Sequence, residues 1–77
     1  MYDPEQVIIN GDAVARFLND SAIQAAIRDT KLLYFNDWYA AETLEERERL
    51  WAKARALDDL QINLQAIVDA GELAKRE

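Results

Sequence analysis

The stretch "TLEERERLWAKARALDDLQINLQAIVDAG", residues 43–71, decides the fold. It holds no proline, and its one glycine is its last residue. Leu50, Ala54, Leu57, Leu60, Leu64, Ile67 and Val68 recur at steps that line one face of an α-helix. Thr43 opens the stretch as an N-cap: its hydroxyl can accept from the amide of Glu46, whose carboxylate can reach back to the Thr43 amide. Glu45 and Glu46 favour the positive end of the helix dipole, and Glu45 stands four residues before Arg49 in the favourable order. Gly71 reads as a left-handed C-cap, with 71–77 as a short tail. The pattern predicts a helix over 44–70, roughly 40 Å long at 1.5 Å per residue.

Upstream, "KLLYFNDWYAA", residues 31–41, belongs to a second helix expected over 21–41, with Ser21–Gln24 as a capping box. Only a residue or two separate it from the long helix, so the two must fold back antiparallel. Before it, "GDAVARFLND" suggests a short helix over 12–19 with Asp12 as cap; a continuous helix from Asp12 is the competing reading. Residues 1–11, "MYDPEQVIING", allow two readings as well. Asp3 can cap a turn with Pro4 at the first helical position and Gln6 reaching back. Alternatively, the β-branched run Val7–Ile9, ended by Asn10-Gly11, forms an extended arm. The expected architecture is one all-α domain over 1–77, an antiparallel helical hairpin with a short N-terminal helix or arm across it.

A chain of 77 residues forms a core that supplies only about 3–5 kcal/mol, so small domains lean on a staple or an oligomer. Without cysteine there is no disulfide or thiolate metal site, and without histidine the commonest general base and metal ligand are missing. Ser21, the lone serine, serves as a cap; Gly11 and Gly71 are too far apart for a phosphate loop. Asp58 and Asp59 diverge by about 100° on a helix, Asp29 and Asp37 read as solvated surface, and no EF-hand spacing occurs. No enzyme, metal or cofactor is expected, and association is the expected source of added stability. The net charge of −6 opposes direct binding to nucleic acid. A helix-turn-helix reader is disfavoured because its second helix would be aromatic and acidic. No charged-then-apolar leader opens the chain, and no apolar run approaches about 20 residues, so a soluble intracellular protein without membrane contact is expected.

The second helix carries more apolar surface than one neighbour can cover. On a wheel, Ile23, Ile27, Tyr34 and Trp38 lie together, and Leu32, Phe35 and Tyr39 extend that arc to about half the circumference. Leu33 falls on the far side with Ala22, Ala26 and Ala40. Trp51 and Ile62 lie off the main face of the long helix, on a flank shared with Leu44. Leu33, Phe35, Trp38, Tyr39, Trp51 and Ile62 are therefore the candidate protein-interaction residues, since aromatic anchors dominate interfaces. Core filling within one chain is the alternative. Arg28 falls beside Phe35 and Tyr39, and Lys31 beside Trp38 and Tyr34; a solvated edge is the expected role of each, with a cation–π contact as the alternative.

The pattern around Phe17, Leu18 and Asp20, then Trp38, Thr43, Arg47, Glu48, Leu50 and Trp51, continuing through Arg55, Leu57, Leu60, Leu64, Ile67 and Gly71, resembles small all-helical proteins encoded by tailed bacteriophages and prophages. The resemblance spans roughly residues 12–74 and implies a phage origin, with the cytoplasm of an infected bacterium, or the virion, as location. The expected function is a noncatalytic accessory protein acting by helix-mediated protein–protein interaction, in virion assembly or head structure. Its partners would be further copies of itself or a larger phage or host protein. The alternative is an early inhibitor that binds a host enzyme or defence complex through Trp38, Tyr39 and the acidic surface. An acidic nucleic-acid mimic ranks third.

Overall fold

The computed structural model describes residues 2–77, and these form three helices and no strand: α1 (Pro4–Asn19), α2 (Ser21–Ala40) and α3 (Leu44–Arg76). Each begins on an acceptor side chain. Asp3 caps α1, its carboxylate accepting from the Glu5 amide at 3.1 Å. Asp20 caps α2, accepting from the amides of Ala22 and Ile23 at 2.8 and 3.2 Å. Thr43 caps α3, its hydroxyl accepting from the Glu46 amide at 3.1 Å, the bond expected of it.

Several sequence expectations are corrected. Met1, in the expected arm, lies outside the described residues, and 2–11 provide no extended arm: Pro4 stands at the start of α1, and the helix runs through Val7–Ile9, Asn10 and Gly11. Gln6 does not reach back but donates to the Asn10 side chain at 2.9 Å. Asp12 therefore caps nothing and lies mid-helix. The second helix is capped by Asp20 instead of Ser21; Gln24, the supposed partner of Ser21, donates to the Leu18 carbonyl at 3.0 Å. The residues from 71 onward are no tail, and Gly71 is no C-cap. No described glycine has positive φ, and α3 continues to Arg76 because Ala74 is buried and Lys75 reaches Asp12 at 2.7 Å.

The helices form a hairpin with one broken arm. As the first arm advances through Gly11, Lys31 and Trp38, its partners on α3 retreat through Gly71, Asp58 and Arg47. Accordingly α1 does not lie across the hairpin but extends the α2 arm, with the break at Asp20, whose ψ of 126° is extended. The 33 residues of α3 span about 50 Å at 1.5 Å each, matching the 52 Å length of the molecule. Along α3, Leu50, Ala54, Leu57, Gln61, Leu64, Val68 and Gly71 turn inward, alternating steps of four and three. This is the heptad spacing of helices packed side by side. Gln61 thus takes the inward place expected of Leu60, which is 53% exposed.

The tightest joint is glycine on glycine. A Cβ on Gly11 would lie 2.9 Å from the Gly71 Cα and 3.2 Å from the Ile67 carbonyl oxygen; one on Gly71 would lie 3.0 Å from the Gly11 Cα. Each glycine costs helix propensity relative to alanine, roughly 1 kcal/mol. Here that loss is offset by letting α1 lie backbone-to-backbone on α3. Lys75 and Asp12 clamp the same end, and that hydrogen bond with Asp12 raises the lysine pKa above its usual 10.5.

Candidate protein-interaction face

The described chain buries almost nothing completely. Gly11, Gly71 and Ala74 are its buried residues, and no large side chain is fully enclosed. Its shape explains this: at 52 × 27 × 15 Å, the molecule is little thicker than one helix. The Cα radius of gyration is 16.4 Å, against about 11.5 Å for a compact chain of this length. Helices lying side by side in one layer meet along one line and leave their other sides open.

The open side between α2 and α3 is aromatic. Tyr34 and Leu50 turn partly inward at its floor, and Phe35, Trp38 and Trp51 form its walls with Lys31 and Ala54, enclosing a cleft of about 300 Å³. A second hollow follows at the hairpin end, bounded by Trp38, Leu44, Arg47, Glu48 and Trp51. Helical spacing places Leu32 and Tyr39 within about 60° of Phe35 on the wheel. Tyr39 is 76% exposed and Trp51 62%, whereas Trp38, lower in the cleft, is 39% exposed.

Of the six residues singled out from sequence, the cleft brings together Phe35, Trp38 and Trp51. Tyr39 lies beside them on α2. Ile62 is farther along α3, in a shallow groove with Lys31 and Asp58. Leu33 is separate: it is exposed, but the wheel turns it to the opposite side of α2. Two further residues complete the stripe on α3. Leu44, Trp51, Ile62 and Leu73 follow at steps of seven, eleven and eleven, which return to the same direction within about 40°. Leu73 is missed when Gly71 is read as the end of the helix, because a frayed tail has no face.

Arg28 and Lys31 are exposed, as a solvated edge requires, and the alternative cation–π contacts do not form. Lys31 pairs with Asp58 across the helices at 3.2 Å, and Arg28 with Asp29 at 3.5 Å, so neither provides the cation–π contact. That role falls to Arg47, 5.4 Å from the Trp38 ring centroid. On α3 the ion pairs one turn apart among the described residues are Arg55–Asp59 and Glu72–Lys75, and not Glu45–Arg49. Among those residues, no helix is long and apolar enough to cross a membrane.

No protein-family model, curated protein or solved structure matches this chain.

Proposed function

We propose that this protein is a noncatalytic interaction module that works by presenting the α2–α3 aromatic side to another protein surface. The observation that carries the reading is the cleft itself: Phe35, Trp38 and Trp51 converge on a side that the chain's own helices leave uncovered. Aromatic side chains around a cleft are the usual anchors of protein interfaces, and apolar exposure on this scale marks interaction surfaces. The sequence resemblance to small phage proteins implies a phage origin and no particular activity; virion assembly or head structure is the setting this reading assigns.

The test is incorporation into particles during infection. Wild-type chain should co-purify with virions, and Phe35→Glu and Trp51→Glu chains of unchanged helicity should be lost from them. Wild-type chain absent from particles but bound to a host enzyme in infected cells would replace assembly with inhibition. Substituted chains that enter particles as well as wild type would refute the role of this face.

A further inference from the structure

We infer that the aromatic side is covered by a second copy of the same chain, α2 and α3 of one protomer lying on α2 and α3 of the other to form a four-helix bundle. The inference rests on the reading of that side as an interaction surface and adds what occupies it.

Area is the first argument. The chain exposes 6098 Å², whereas a compact monomer of 8.8 kDa exposes about 4,800 Å². The surplus, about 1,300 Å² per chain, exceeds the roughly 800 Å² that each partner contributes to a standard interface and falls in the range of obligate homodimers.

Shape is the second. Adding one helical layer at an interaxial distance of about 10 Å to a body 15 Å thick gives about 25 Å. That nearly equals the 27 Å width, so two copies make a bundle of square section.

The third argument is self-complementarity. A two-fold interface must carry projections and the hollow that receives them on the same surface. Phe35 and Tyr39 project beside a cleft large enough for one such ring.

Charge is the fourth. Although the chain carries −6, this side pairs its own charges, Lys31 with Asp58 and Arg55 with Asp59. It offers no block of one sign that would select an oppositely charged partner.

Sedimentation equilibrium over a concentration series tests the inference. Wild-type protein should reach the mass of two 8.8 kDa chains. Phe35→Glu and Trp51→Glu should each weaken association by at least about 30-fold, the effect of losing an interface anchor. Leu33→Glu, on the opposite side, should leave association unchanged. A second measurement avoids charged substitutions. The chain has no cysteine, so Ile62→Cys and Leu33→Cys each create a unique thiol; association should protect only the first from a thiol reagent. A single-chain mass at every concentration, or equal protection of both thiols, overturns the second copy as occupant. A single-chain mass leaves the broader interaction reading intact, because that reading fails on particle incorporation and not on solution mass.

Discussion

Replacing Gly11 with alanine sets two physical effects against each other. By helix propensity alone, Gly11→Ala in mid-α1 should stabilise by about 1 kcal/mol. The geometry says otherwise. The new methyl would lie 2.9 Å from the Gly71 Cα and 3.2 Å from the Ile67 carbonyl oxygen, where carbon atoms prefer about 3.5–4.0 Å. Both obstacles are backbone, so no side chain can swing aside, and α1 must lift from α3 by about 1 Å to restore that separation. The lift loosens contacts along both helices, because α1 is rigid and carries half-buried Val7, Ile8, Val14 and Leu18 with it. Overpacking of this kind costs roughly 1–3 kcal/mol. With no flexible neighbour the upper half of that range applies, leaving a net loss of about 1–2 kcal/mol after the propensity gain. For a domain of this size the loss lowers Tm by roughly 4–16 °C. Thermal unfolding followed by circular dichroism measures it, at equal protein concentration so that association does not distort the comparison. Ala13→Gly, on the exposed side of α1, provides the propensity effect by itself. A rise in Tm for Gly11→Ala would refute the close crossing.

The remaining predictions concern caps, charge and salt. Asp20→Ala should cost about 1–2 kcal/mol, since its carboxylate serves two α2 amides, whereas Ser21→Ala should be nearly neutral; urea midpoints of the two variants decide this. Lys75 should titrate above 10.5 by side-chain NMR and return toward that value in Asp12→Asn. Because its folded pKa is raised, the stabilisation is complete below the unfolded value and fades as pH rises through the folded one. Unchanged Lys75 titration in Asp12→Asn would contradict the clamp. If two copies associate, added salt should tighten them by screening the repulsion between chains of charge −6; weakening by salt, read from the sedimentation constants, would point to ion pairs across the interface.

The helical grammar of this chain was legible where side chains act locally. The Thr43 cap on the Glu46 amide, and the inward places of Leu50, Ala54, Leu57, Leu64 and Val68, need only the neighbours on one helix. Gly11 and Gly71 were misread because a glycine near a helix end and a glycine at a helix crossing look alike in one dimension. The 60 residues between them hide that they meet. The same misreading turned a helical segment into an arm at one end and a tail at the other, and with the tail went Leu73. Leu60 reads as inward because it is apolar and three residues from Leu57, yet at 100° per residue it lies about 80° from Leu50, whereas the polar Gln61 lies about 20° from it and takes the inward place. The aromatic side could be listed residue by residue from the wheel of α2. Its cleft could not, because Trp51 joins Phe35 and Trp38 only through the register of α2 against α3.

The central claim is that a second copy of the chain covers the aromatic side, and Trp38 and Trp51 can report this themselves as the only tryptophans. The decisive measurement is their fluorescence and its quenching by acrylamide across a dilution series of the purified protein. Covering by a second copy predicts blue-shifted emission and poor quencher access at high concentration, relaxing on dilution to the emission of exposed indole while helicity persists. Emission that stays water-exposed and fully quenchable at every concentration would contradict coverage by a second copy.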